Sequence, residues 1–172
     1  MSIITESLFK GEYKVTKDCF NQLSNYIEKY EKHYLLKLLG AELYALFIAD
    51  LTVTDPQTTQ TARFNAIFNP FETDEGNCLI VSEGIKQMLV QLIYFHITRD
   101  SLNIKTNIGV VNMVADNSSN AGYNGYNLIE SFNQGVKNFS AIQWFICDST
   151  DYPEENSQHL SYINGIWKQK YF

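Results

Sequence analysis

Charge is scarce in this chain. Only 19% of its 172 residues are Asp, Glu, Lys or Arg, below the usual quarter. The polar surface has to come largely from uncharged groups, and 16 Asn and 9 Gln supply them. Base is scarcer than acid: 13 Lys and Arg stand against 19 Asp and Glu, a net charge of −6. The bases are scattered, and the densest cluster is Lys168 and Lys170. A protein that grips phosphates needs a basic patch, so specific nucleic-acid binding is not expected. A mildly acidic body is compatible with something that DNA slides past. Cysteine is also sparse. Cys19, Cys78 and Cys147 are odd in number and far apart, with no Cys-x-x-Cys, so neither a zinc knuckle nor a redox dithiol is expected. Buried thiols in a reducing compartment are. Long hydrophobic runs are missing too. The most apolar helical stretch, residues 88–97, is about half of the roughly 20 residues a membrane span needs. The chain does not open on a basic region followed by an apolar one, so no signal peptide is expected.

What the chain has in quantity is apolar bulk: 45% hydrophobic residues, with 11 Phe and 11 Tyr. That excludes disorder as the main state and suffices for one domain with a sizeable core. Residues 1–16 read as extended and weakly ordered. A helix then starts at Asp18, with Phe20, Leu23, Ile27, Tyr30 and Tyr34 on one face. Glu28, Lys29, Glu31 and Lys32 fall on the solvent side. Gly40 closes the Leu-rich run that follows, as glycine often does through a left-handed backbone. A second helix, about 41–51, would turn Leu43, Leu46, Phe47 and Leu51 inward. Asp55-Pro56 signals a third helix to Phe68. An acidic turn spans 72–77. Ser82 is a cap candidate for a helix over about 83–101, with Ile85, Met88, Leu89, Leu92, Ile93 and His96 as its stripe.

Residues 102–115 change character. Ile104, Ile108, Val110, Val111, Met113 and Val114, interrupted by Asn107, Gly109 and Asn112, read as an extended arm or short hairpin. The arm region runs to about residue 120. A long helix follows over about Gly122–Asp148, with Leu128, Ile129, Phe132, Val136, Phe139, Ile142, Phe145 and Ile146 inward. Gly125 and Gly135 weaken it, at about 1 kcal/mol each relative to Ala, unless they admit a close neighbour. The expectation is a mainly α fold: a bundle of four to five helices in one domain over 1–150, a short arm or hairpin, and a C-terminal docking tail over 151–172. Residues 150–157 read as a polar linker.

Chemistry is hard to find. His33, His96 and His159 show no metal-ligand spacing. His96 and Asp100 are four apart and favour an ordinary hydrogen-bonded pair over an acid–base or metal pair. Asp74 and Glu75 suit a solvated turn better than a hard-metal loop. The Gly-Tyr-Asn-Gly-Tyr-Asn stretch at 122–127 lacks the Lys, the third Gly and the buried strand of a phosphate cradle. No catalytic residue, metal or cofactor is expected, and the protein is not expected to be an enzyme. Two features ask for partners instead. The tail ends on large aromatics, although termini are usually polar and loose, so Leu160, Ile163, Trp167 and Phe172 are interface candidates. In the arm, Ile108, Val110, Val111 and Met113 are others. Whether the tail docks on a neighbour or on its own core stays open.

The segment from Tyr30 to Tyr44 resembles the start of tailed-phage head–tail connector proteins, also called adaptor, head-completion or ring proteins. Their first helix typically ends in a Leu-Leu-Gly step followed by Leu-Tyr; here Leu38-Leu39-Gly40 and Leu43-Tyr44 stand there, making Leu39, Gly40, Leu43 and Tyr44 a structural joint. Thr106-Asn107-Ile108-Gly109-Val110-Val111 resembles the Asn-x-Gly-Val step that leads into the family's long last helix. The likeness covers about residues 17–148, is nearest to the connectors of crAss-like and similar phages, and leaves the tail beyond 150 uncovered. It implies a homo-oligomeric ring, commonly twelve copies, at the head–tail interface of a virion. Such a ring is made in the host cytoplasm, docks on the portal protein, extends the DNA channel and carries the tail or further ring proteins. DNA passes through it without sequence-specific binding, and no membrane is involved. Two other classes remain beside it: a small acidic intracellular protein-binding module without a ring, and a hydrolase whose site is assembled across the fold.

Overall fold

The computed structural model describes residues 2–15, 17–54, 57–75, 78–106, 109–112, 122–154 and 162–166; within these, side chains at 17–18, 75, 78, 102–106, 109–112 and 122–126 are left aside. The architecture is mainly α, as the periodicities imply. Helix α1 spans Lys17–Asp50, α2 Ala62–Phe68, α3 Gly84–Leu102 and α4 Gly122–Asp148. Two antiparallel hairpins join them: β1 (Phe71–Glu75) with β2 (Cys78–Ser82), and β3 (Asn103–Thr106) with β4 (Gly109–Asn112).

Helix α3 lies at the centre, packed against α1 on one side and α4 on the other. Its sequence explains the position. Ile85, Met88, Leu89, Val90, Leu92, Ile93, Phe95 and Ile97 are all buried, so the helix is apolar nearly all round, which suits the middle of a bundle. Gly135 of α4 admits the neighbour closely: a Cβ there would stand 2.8 Å from Cγ and Cδ2 of Leu92. The small residue sets the α3–α4 spacing. A polar network around the buried Gln91 and Asn138 pins the register of the same pair. The Asn138 amide donates to Gln91 Oε1 and to Glu83 Oε2, both at 2.9 Å, and its oxygen accepts the Glu83 N–H at 3.0 Å. The Gln91 amide donates in turn to Glu83 Oε2 at 2.6 Å and to Tyr13 Oη at 3.3 Å. Each amide is satisfied, which makes the network tolerable in a core.

Helix α1 buries Leu23, Ile27, Tyr34, Leu35 and Leu38, then Leu43 and Phe47. Its path breaks at Gly40, with φ 70° and ψ 177°. The kink falls where the sequence places it, but the conformation is not the expected left-handed helical one: φ is positive while ψ is extended. Two residues expected inward are not. Leu46 is 38% exposed, because in a helix it lies roughly 100° round from the centre of the 43–47–51 stripe. Phe20, in the end turn that fewer elements cover, is 44% exposed.

Further expectations need correction. The N-terminal residues are built into the body: Ile3, Ile4, Phe9 and Val15 are buried. Glu31, expected in solvent, holds them. Its carboxylate accepts the N–H of Ile3 and of Ile4 at 3.3 and 3.2 Å, and the Ser2 hydroxyl. Residues 57–61 are not helical. The Asp50 carboxylate accepts the N–H groups of Gln60 and Thr61 at 2.8 and 3.1 Å, and Thr52 donates to Thr58 O at 2.8 Å. These bonds satisfy the backbone as a closed loop, so α2 is a short helix burying Phe64, Ile67 and Phe68. Asp55 and Pro56 lie outside the described residues.

The expected acidic turn is the first strand of a hairpin, paired from Phe71↔Ser82 to Glu75↔Cys78. Ser82 accepts the Gly84 N–H at 3.1 Å, as a cap would, and the helix begins at Gly84, whose φ is 81° and whose Cβ would lie 2.6 Å from Phe68 O. Only glycine allows that approach of α2 to α3. Last, residues 150–154 are a clamp and not a linker. Tyr152 is buried, its hydroxyl donates to Arg63 O, and Arg63 Nη1 pairs with Glu154 at 3.1 Å.

Candidate functional site

The expected joint is a packed one. Leu39 and Leu43 are buried on either side of Gly40, and Tyr44 is half-buried against the core. A Cβ at Gly40 would meet nothing within 4 Å. The constraint there is therefore backbone conformation and not space.

The expected arm is a hairpin that leaves the end of α3 directly, with Ile104 opposite Val111 and Lys105 opposite Val110. Val110 and Val111 sit on β4. Ile108 and Met113 lie outside the described residues. Of the tail candidates, Ile163 is half-buried against this chain's own core. Beside it, Asn133 of α4 grips the tail backbone twice: its oxygen accepts the Ile166 N–H at 2.7 Å and its amide donates to Ile166 O at 2.9 Å. The described part of the tail, 162–166, thus lies on its own α4. Leu160, Trp167 and Phe172 lie outside the described residues. Periodicity could not find the Asn133 grip, because one asparagine among sixteen carries no pattern.

Where α1 meets α3, an aromatic ladder forms that the sequence shows only as spacing. Tyr26, Tyr30 and Tyr34 stack along α1, with centroids 5.9 and 6.1 Å apart, and the His96 ring lies flat on Tyr30 at 3.9 Å. His96 Nε2 shares a hydrogen bond with Tyr34 Oη at 2.5 Å. The expected His96–Asp100 pair does not form. Asp100 instead accepts from Arg99 Nε and Nη2 at 2.8 and 2.7 Å, and from Tyr26 at 3.0 Å. Burial, and then the Arg99 charge, lower His96 to about 4, so its ring is neutral at pH 7. Burial raises Tyr34 to about 12, which keeps its phenol protonated. Burial works against Asp100, but the bonds from Arg99 and Tyr26 outweigh it and hold the carboxyl below its usual range. The ladder has the properties of a structural seam: neutral, stacked and hydrogen-bonded across two helices.

The thiols differ from expectation, since Cys147 is exposed and Cys19 half-buried. Among the described residues no three His, Cys, Asp or Glu side chains gather as a metal site, and no helix is long and apolar enough to cross a membrane. Open grooves are present among the described residues, and two of them are lined in part by N-terminal residues. One, of about 690 Å³, runs beside α3 and α4 past Tyr13, Tyr94, Glu83 and Glu130. The other, of about 870 Å³, lies between the N-terminal residues and α1.

Exposed apolar side chains lie on both β2 and α1. Leu79 is 62% and Val81 51% exposed on β2, and Leu36 is 36% exposed on α1. The β2 pair does not stand out in the sequence, since Cys78-Leu79-Ile80-Val81-Ser82 is a short β-prone run beside an acidic stretch. Compared with protein-family models, curated proteins and solved structures, the chain matches none.

Proposed function

We propose that this protein is a head–tail connector subunit of a tailed phage, a structural ring protein of the virion that docks on the portal and performs no chemistry. The observation that carries the reading is the order of elements around the quoted motifs: a first helix broken at Gly40, a hairpin issuing from the end of α3, and a long last helix. The resemblance to connectors rests on the same order. Exposed apolar side chains on a small acidic body are a second support. They are costly for a free monomer and useful in an assembly. The net charge of −6 suits a channel wall that must release DNA, because each Lys or Arg on a phosphate adds affinity.

The test is assembly. The purified chain, alone and mixed with the portal protein of the same phage, is examined by sedimentation and electron microscopy. A closed ring seated on the portal is the expected result. A small particle throughout would reject the reading and favour the other one that the exposed Leu79 and Val81 suit, an acidic protein-binding module without a ring.

A further inference from the structure

We infer that the outer face of the β1–β2 hairpin docks on the outer face of α1 in a second copy of this chain. In the hairpin register Glu72 stands opposite Val81, and Asp74 opposite Leu79. Side chains alternate across a strand, so these four share one face, and all four are exposed. The other face is turned to α4, where the Phe71 ring meets Phe145 at 4.7 Å. Neither Glu72 nor Asp74 has an ion-pair partner among the described residues. The hairpin therefore offers two aliphatic side chains flanked by two unpaired carboxylates. Its complement is an apolar residue flanked by bases.

Helix α1 carries that complement. Asn25, Lys29, Lys32 and Leu36 line a shallow cleft of about 490 Å³, together with Glu28 and His33. At 3.6 residues per turn, the 25–29–32–36 row falls opposite the buried row of Leu23, Ile27 and Tyr34, so it faces away from the core. Lys29 and Lys32 also lack ion-pair partners among the described residues. The chain has a competing apolar receiver, the groove lined by Tyr44, Ile48 and Leu51. That groove carries Glu6, Glu28 and Glu31 against Lys32 alone, and would repel an acidic hairpin. Charge thus selects the α1 row. Within one chain the two surfaces do not meet: the hairpin is seated on α4, while α1 packs on α3 with its buried row and so turns the 25–36 row away from the body.

Two different surfaces in contact make a head-to-tail interface, which repeats from copy to copy and closes into a ring when the rotation permits. The inference rests on the ring reading and names one of its contacts. A stable interface buries about 1,200–2,000 Å², so Leu79 and Val81 are its centre and not its whole extent.

The test uses full-length chains. Glu72→Lys with Asp74→Lys, and separately Lys29→Glu with Lys32→Glu, reverse the charge at exposed positions, and circular dichroism checks that each variant folds. Each is expected to weaken self-association at least tenfold by sedimentation, and the chain carrying all four changes to recover it. A photo-crosslinking amino acid placed at Leu79 of the otherwise native chain should join peptides containing residues 29–36 of another copy. If the parent forms rings, yet both variants assemble as it does or the crosslink lands elsewhere, this contact is wrong and the ring reading stands. If the parent stays monomeric with and without portal, both fail.

Discussion

At Gly40 the chain adopts φ 70° and ψ 177°, a region essentially reserved for glycine. Space is not the issue, since a Cβ would meet nothing within 4 Å. Gly40→Ala and Gly40→Val should therefore cost similar amounts, roughly 1–3 kcal/mol of backbone strain, with the β-branched variant somewhat worse. Chemical denaturation checks this, and a variant as stable as the parent would show that the kink is not held. His96 allows a second residue-level expectation. Unfolded, an imidazole takes its proton near pH 6.5; in the fold, burial and then Arg99 hold it down to about 4. Between these values the unfolded state binds the extra proton, so stability is lost as pH falls through that window. Discounted for partial exposure, the loss is roughly 1–2 kcal/mol. Glu31, raised by burial, acts in the opposite sense, and Asp100, held low, acts at lower pH. Comparison with His96→Gln, which cannot take the proton, isolates the histidine: the variant's melting temperature should fall less between pH 6.5 and 4.

At the scale of elements, legibility followed periodicity. Helices α3 and α4 could be read nearly to the residue, because each repeats apolar positions over many turns. The N-terminal residues could not, since Ile3, Ile4 and Phe9 have no period, and one distant carboxylate, Glu31, holds the backbone of Ile3 and Ile4. Hairpin β1–β2 was hidden because Glu72 and Asp74 look like a turn when their partners across the ladder, Val81 and Leu79, are not known. Asp55-Pro56 promised a helix, but the Asp50 carboxylate captured the backbone of Gln60 and Thr61 first. Of the candidate interface, the hairpin at 103–112 was foreseen as an extended element, while the exposed β2 pair was not. The α3–α4 seam supplies a test at this scale. A Cβ at Gly135 would press on Leu92 at 2.8 Å, and only part of the Leu92 side chain can move. Gly135→Val should destabilise by about 1–3 kcal/mol through overpacking. Leu92→Ala should make the same substitution cheaper, because it removes the atoms struck, and a double-mutant cycle measures that coupling. Additivity would mean that the two helices separate and do not clash.

For the whole molecule, the question is where the subunit ends and its reach toward others begins. Residues 150–154 belong to the body. The Tyr152 ring is buried beside Phe64 and Phe145, with centroids 6.5 and 6.3 Å away, and its neighbour Glu154 pairs with Arg63 of α2 at 3.1 Å. Removing them strips a large aromatic from the core, a loss of about 3–5 kcal/mol. Beyond them the attachment thins to the half-buried Ile163 and the two bonds between Asn133 and Ile166. That attachment is worth roughly 1–2 kcal/mol, because a partly buried aliphatic side chain and exposed hydrogen bonds each contribute modestly. A chain ended after Ser157 should therefore keep its helical spectrum and melt only a few degrees below the parent. One ended after Ser149 should melt far lower or not fold. The longer of the two chains then addresses assembly. Trp167 and Phe172 can each bury roughly 150–250 Å², and a contact repeated in every copy of a ring gains from avidity. On the connector reading proposed above, the chain ended after Ser157 is expected to fold and yet be left out of the complex with portal, as read by co-sedimentation. If it joins the ring as the parent does, the tail is not an anchor and the hairpins must supply the contacts alone.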